Sequence, residues 1–435
     1  MHMGILFFII TLAMVVWGHK KPLQKSLGWL TLYMVCAMLH FIFKGYRWPY
    51  LLIYIVPVLF ILDVYFSKLK KPFKTILKII WLLPALGFLL LILFPKVQLQ
   101  GPKGPYNVGT FAMNFKDETR REIYDEKKDY REIRVQIFYP TKDDSQNYAP
   151  WFLDGEASVK VFAESYGLPA FAFSHLIGVE SHSLLDVEMA DDGPFPVVIL
   201  SHGWKSTRII HQNLSEMLAS HGYIVFAIDH TYVAAMTRTD EGETVGYENS
   251  VLPETDFLDE GEIMIDVFSK DVNLTRNRID FLQEMHPILK GAMNLDQVAL
   301  IGHSTGGAGV VKYAGDYDVE AVIGLDAWVE PITNIKPLNM PTLFIRSEAW
   351  LEAPNNENLK KVTSSVYDLK GSKHQDFTLA GHLSPALKWF GQSGENSLEF
   401  QEEMILNYLD STLKGLERDL NFESFDKINL TSLIE

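Results

Sequence analysis

Val298-Ala299-Leu300-Ile301-Gly302-His303-Ser304-Thr305-Gly306-Gly307-Ala308-Gly309 decides how the rest of the chain is read. Four apolar residues, Val298 to Ile301, predict a short buried strand, and the small residues after Thr305 predict a helix packed close behind it. Between them Gly302-His303-Ser304-Thr305-Gly306 fits the G-x-S-x-G pattern of a strand-to-helix nucleophile turn. So tight a turn forces Ser304 into a strained backbone conformation, and glycines two residues either side keep side chains out of the corner. The hydroxyl then stands at a helix N-terminus, where partial positive charge favours a developing oxyanion. The bare pentapeptide arises by chance in roughly one chain in seven of this length. The strand before it and the small residues after it carry the reading.

Outward from this turn, strand and helix patterns alternate. Strands are predicted at Tyr106–Phe115, Glu132–Tyr139 (ended by Pro140), Pro196–Leu200, Tyr223–Ile228, Ala321–Leu325, Thr342–Ile345 and Ser365–Leu369. Helices are predicted over Thr207–Ser220, Ile263–Met285 and Leu398–Lys414. The alternation implies an α/β domain with a mostly parallel sheet covered by helices on both faces. Catalytic groups in such sheets sit at the carboxyl ends of strands, where His202, Ser304, Asp326 and the segment holding His374 all fall. The aromatic-rich stretch Trp151–Phe173 is suited to line a pocket or form a lid. Residues 231–260 are polar and acidic and give no firm pattern.

A serine nucleophile needs a base, and the base an orienting acid, in the chain order Ser, acid, His for this kind of sheet. Only His374 and His382 follow Ser304, and His374 is favoured because its loop, Leu369 to Phe377, directly follows a strand. The residues alone leave the acid open between Asp326, ending VIGLD, and Glu348, ending TLFIRSE; Asp368 and Glu352 trail. Backbone N–H groups of Thr305 and of Trp204, in His202-Gly203-Trp204, are the expected oxyanion donors. His202 and His303 precede the nucleophile and are expected to be structural hydrogen-bonders.

The chain has 435 residues and a net charge of −15, unevenly spread. Residues 1–97 carry eleven Lys and Arg against the single acid Asp63, a balance of +10; the remainder carries −25. An acidic surface argues against nucleic acid as a partner. Cys36 is the only cysteine, so no intrachain disulfide can form, and no zinc-type Cys/His cluster exists. Four apolar runs, Gly4–Trp17, Leu27–Phe43, Tyr50–Phe66 and Ile76–Phe94, predict an α-helical transmembrane region over residues 1–97, ahead of a catalytic domain over 98–435. No Lys or Arg precedes the first run, as a secretory signal would require. Lysines at 20, 21 and 25 and at 68, 70, 71 and 74 outnumber Lys44 and Arg47 between them. By the positive-inside bias this predicts a multi-pass cell-membrane protein with its catalytic domain extracellular and the lipid bilayer as a partner. Asp63 and Lys78 lie near enough to span ends to be hydrated.

The later half resembles the plasma, type II platelet-activating factor acetylhydrolases. The likeness runs from about residue 105 to 415, through Leu200-Ser201-His202-Gly203, LASHGYIVFAIDH (Leu218–His230), IGHSTGG, LDAWVEP and GSKHQDF. That family has the α/β-hydrolase fold and cleaves short or oxidised sn-2 acyl groups from phospholipids. By resemblance Asp326 in LDAWVEP is the acid, His374 in GSKHQDF the base, and Trp204 and Thr305 the oxyanion donors. Two departures bear on substrate preference: Thr305 stands where the family usually has Phe, and Lys205 replaces a Gly of the oxyanion loop. The membrane spans are no part of the animal enzymes' pattern. The expectation is a membrane-anchored serine esterase or lipase acting on short-acyl esters or phospholipids, of the 1-alkyl-2-acetylglycerophosphocholine esterase type. It needs no organic cofactor and no metal. An acyltransferase would use the same residues, and a catalytically inert membrane receptor is the alternative of another class.

Overall fold

The computed structural model describes residues 11, 23–44, 47–65, 75, 79–128, 130–248, 256–384, 398–422 and 428–433. The chain divides into two compact units, Met1–Lys96 and Val97–Glu435.

In the first unit four helices are described: α1 (Leu23–Lys44), α2 (Tyr50–Tyr54), α3 (Val56–Tyr65) and α4 (Leu83–Leu93). Tyr33, Ile53, Val56 and Phe60 form a small core between α1, α2 and α3. Two polar groups are satisfied inside it: Tyr33 OH donates to Ile53 O at 2.6 Å, and His40 Nδ1 lies 2.9 Å from Tyr54 OH. The expectation of membrane spans, and with it a multi-pass cell-membrane location and an extracellular catalytic domain, is corrected here. Among the described residues no helix is long and apolar enough to cross a membrane. Breaks supply a physical reason in the third and fourth runs. The third run is interrupted at Ile55, just before Pro57, leaving helices of 5 and 10 residues. The fourth breaks at a turn over Trp81-Leu82, and α4 restarts with Pro84 in its first turn and runs 11 residues. At 1.5 Å per residue that is about 16 Å, against a hydrocarbon core of about 30 Å. The first run apart from Thr11, Lys20, Lys21, Lys68 to Lys74, Lys78 and the side chain of Asp63 lie outside the described residues.

In the second unit the strands are β1 (Asn107–Asp117), β2 (Arg131–Thr141), β3 (Tyr148–Pro150), β4 (Glu180–Leu185), β5 (Phe195–Ser201), β6 (Ile224–Asp229), β7 (Met236–Arg238), β8 (Thr244–Gly246), β9 (Met293–His303), β10 (Ala321–Leu325), β11 (Thr342–Ser347), β12 (Ser365–Leu369) and β13 (Ile428–Ser432). The helices are α5 (Glu156–Ser165), α6 (Gln212–Ser220), α7 (Phe257–Met285), α8 (Thr305–Ala314), α9 (Asn356–Val362), α10 (Ala380–Leu383) and α11 (Leu398–Thr412). Eleven strands form one sheet in the order β13-β12-β11-β10-β9-β5-β6-β2-β1-β4-β3. The run from β12 to β6 is parallel, and β2 pairs antiparallel with both β6 and β1.

Alternation along each strand assigns the two cores. Val197 and Ile199 of β5, with Val298 and Leu300 of β9, face α7 and α8. Val198 and Leu200, with Ala299 and Ile301, face α6 and α11. Both faces of the central strands are thus buried, which explains why they read as unbroken apolar runs. From β5 the chain crosses to β6 on one side, while β9 lies on the other. This reversal opens a crevice at the carboxyl ends of β5 and β9.

Several local expectations shift. Pro140 does not end β2, because it pairs with Val108 beyond the last residue that β6 reaches, where the missing N–H costs no ladder bond. Helix α7 starts at Phe257 rather than Ile263, capped by Asp256 and led by Asp259 and Glu260. Within Trp151–Phe173 the rings of Trp151, Phe152, Phe162 and Phe173 pack in series at 5.5–5.7 Å as a satellite core. Trp151 Nε1 is satisfied by Ile209 O at 3.0 Å. Residues 231–260 hold the β7–β8 hairpin and the start of α7; 249–255 lie outside the described residues.

Candidate active site

Ser304 sits between β9 and α8 with φ 55° and ψ −123°, a conformation L-residues avoid. The strain is held in place by bonds on both sides: Ser304 N donates to Leu325 O at 3.0 Å, and Trp328 N donates to Ser304 O at 2.9 Å. A Cβ on Gly306 would lie 2.3 Å from His202 O, so only glycine lets α8 approach β5 this closely. Ser304 is 9% exposed.

His374 Nε2 lies 2.9 Å from Ser304 Oγ, and His374 Nδ1 lies 2.7 Å from Asp326 Oδ2. Asp326 is buried and also accepts from Ser347 N at 2.7 Å and Ser347 Oγ at 2.8 Å. The imidazole is clamped between two rings: Trp350 stacks on one face at 4.8 Å and 3°, and His303 lies 4.7 Å away at 30°. Neither stacking partner is legible as such in the sequence, since each is contributed by a different element. His303 Nε2 also meets His374 O at 3.1 Å, so it supports the loop that carries the ring. Burial, then the neighbouring His374, push the His303 pKa well below its ordinary value, leaving it neutral.

Of the other candidate acids two are held by other partners and the third is exposed. Glu348 accepts from Gly371 N at 2.5 Å, Asp368 pairs with Arg346 at 2.7 Å, and Glu352 is exposed. His382 lies on α10, lining a separate cavity with Met217 and Glu402.

The loop after β5 runs against Ser304: a Cβ on Gly203 would meet Ser304 Cβ at 2.9 Å. His202 is buried and neutral, its pKa pushed well down by burial. Its Nδ1 lies 2.7 Å from Gly203 O, and its Nε2 accepts from His230 N at 3.3 Å. Gly203 O and Trp204 N belong to one planar trans peptide and point in opposite directions. Pinning the carbonyl inward therefore turns the Trp204 N–H outward. Thr305 N, at the first position of α8, has no acceptor within its helix.

A second Ser-His-Asp array lies behind this loop. Ser201 Oγ is 2.8 Å from His230 Nε2, and His230 Nδ1 is 2.9 Å from Asp271 Oδ2. All three are fully buried, with Phe268 stacked on His230 at 3.6 Å, so no substrate reaches them. Burial alone would raise the Asp271 pKa, but Arg131 and Arg120 hold it far below the carboxylate range. Among the described residues no group of His, Cys, Asp and Glu is placed to hold a metal ion.

The arrangement around Ser304 can activate a hydroxyl and stabilise an adjacent oxyanion. The solved ferulic acid esterase from Streptomyces cinnamoneus superposes with a TM-score of 0.61 at 22% identity, over 78% of this chain and all of that one, a likeness that carries the α/β-hydrolase fold. The platelet-activating factor acetylhydrolase of Canis lupus familiaris is 24% identical over 306 residues, 63% of this chain and 66% of that protein. That of Bos taurus is 25% identical over 373 residues, 75% of this chain and 79% of that protein. The profile described as "Platelet-activating factor acetylhydrolase, isoform II" matches residues 91–250 and 255–427, most of the chain. The chain therefore belongs to the platelet-activating factor acetylhydrolase isoform II family and is a carboxylic ester hydrolase.

Proposed function

We propose that residues 98–435 form the catalytic domain of a serine esterase that hydrolyses short-acyl carboxylic esters, or the sn-2 acyl groups of phospholipids, through an acyl-enzyme. His374 Nε2 takes the proton from Ser304 Oγ as that oxygen attacks the ester carbonyl. Asp326 holds the ring in the tautomer with Nδ1 protonated and stabilises the imidazolium that forms. The Trp204 and Thr305 amides receive the oxyanion. His374 then protonates the leaving alcohol. In the second half it deprotonates water, which releases the acid and restores Ser304.

The observation that carries this reading is the pair of contacts at 2.9 and 2.7 Å joining Ser304, His374 and Asp326. The short-acyl preference draws on the relatives in dog and cattle, both named for removal of an acetyl group. The test is hydrolysis of p-nitrophenyl esters from acetate to palmitate by the wild type and by Ser304→Ala. Loss of the nucleophile lowers kcat on the order of a millionfold. Serine-dependent turnover greatest on acetate and butyrate supports the short-acyl reading. Turnover that rises towards palmitate rejects that preference, and an ester activity indifferent to Ser304→Ala rejects the mechanism.

A further inference from the structure

Lys205, directly after the oxyanion-loop residue Trp204, has no part in the steps above. Its φ of 52° is left-handed, a conformation open to glycine and strained for lysine. Bonds on both sides hold it there: Lys205 N donates to Val233 O at 3.1 Å, and Tyr166 OH donates to Lys205 O at 2.5 Å. The ammonium lies over two rings, 5.7 Å from the Tyr166 centroid and 5.0 Å from that of Tyr247. Tyr247 in turn packs against Trp204 at 6.3 Å, and Trp204 against Phe257 at 5.8 Å. An aromatic wall thus leads from the loop beside Ser304 to a fixed positive charge.

Two aromatic faces stabilise a cation without consuming its N–H donors. Among the described residues Lys205 makes no ion pair, in a chain with 54 acids to 39 bases. Strained residues that persist because their surroundings over-determine them cluster at ligand sites. A charge held in this way, one residue from a proposed oxyanion donor, is placed to meet an anion on the substrate.

We propose that Lys205 is a specificity-determining anion subsite, its ammonium binding a phosphate or carboxylate carried by the ester being cleaved. The proposal rests on the esterase reading, and the experiment separates the two. Two matched pairs are compared by kcat/KM: mono-p-nitrophenyl succinate against p-nitrophenyl butyrate, and dibutyryl phosphatidate against dibutyrylglycerol. Each pair differs in an anionic group on the acyl or on the alcohol side. The readout is the anionic-to-neutral ratio, so a change common to both esters cancels. Lys205→Met lowers at least one ratio about tenfold, as befits loss of a charged hydrogen bond, and Lys205→Arg holds it. A fall confined to the succinate pair assigns the anion to the acyl chain, and one confined to the phosphatidate pair assigns it to the alcohol side. Ratios that Lys205→Met leaves unmoved, or that Lys205→Arg lowers equally, overturn the subsite. If Lys205→Met fails to fold, Lys205→Gly, which relieves the left-handed strain, carries the same measurement. Ser304-dependent turnover of the neutral esters by the wild type tests the esterase reading independently.

Discussion

Asp326 and Glu348 end neighbouring strands of the same sheet, and the choice between them turns on what each carboxylate touches. Asp326 has φ 47° and takes three donors, Ser347 N, Ser347 Oγ and His374 Nδ1, within 2.8 Å. Glu348 accepts from Gly371 N, in the loop that leads to His374. Asp326→Asn is expected to lower kcat about ten-thousandfold, because an amide favours the wrong imidazole tautomer. Glu348→Gln is expected to cost less than about tenfold. Initial rates on p-nitrophenyl butyrate decide, and the reverse order removes Asp326 from the proposed triad. The sequence singles out Ser304 by a turn motif and His374 by chain order, and the structure brings the two side chains within 2.9 Å of each other. Pattern alone could not choose Asp326, since both acids end a β-strand and local sequence does not say which strand end points at the histidine. The stack of Trp350 on His374 was illegible for the same reason, being a contact through space between separate elements.

Strands and helices in the central sheet followed their apolar runs closely, because burial on both faces leaves little choice of residue. The strands that escaped the sequence were short or at an edge: β3, β4, the β7–β8 hairpin and β13. Such strands take their stability from partners rather than from pattern. What ties distant elements together is a buried polar network with no sequence signature. Arg131 at the start of β2 meets Asp271 of α7 at 2.7 Å and Glu122 at 3.0 Å, and Arg120 also pairs with Asp271. Asp271 continues through His230 to Ser201, one residue before the loop His202-Gly203-Trp204. Deleting its carboxylate leaves a buried guanidinium short of a partner, which typically costs about 3–5 kcal/mol. Asp271→Ala is therefore expected to lower the urea midpoint sharply with little change in m. A midpoint within error of the wild type would mean that the network contributes nothing to the fold.

Charge and hydropathy divide the chain into unlike halves, and the division into Met1–Lys96 and Val97–Glu435 falls where they change. Composition pointed to membrane spans, yet among the described residues no helix is long and apolar enough to cross; an apolar run reports length only if one helix follows it throughout, and turns at Ile55 and Trp81-Leu82 cut the third and fourth runs short. In the second unit, burial has a consequence for the whole molecule. His202, His211, His230 and His303 are all buried, and burial lowers the pKa of each, that of His211 to about 4. Unfolded histidine titrates near 6.5. Below that pH the unfolded chain binds protons that the folded chain refuses, so stability is complete above about 6.5 and drains as pH falls through the folded values. For His211 the window is pH 6.5 to about 4, with a slope of about 1.4 kcal/mol per pH unit where only the unfolded state is protonated. Urea unfolding at pH 7.5, 6.0, 5.0 and 4.5 is expected to give a steadily falling free energy. His211→Gln removes one titrating group, so its curve flattens towards that slope difference below pH 6 whatever the variant's stability at pH 7.5. Curves that stay parallel across the window would show that His211 is as free to take a proton in the folded protein as in the unfolded one.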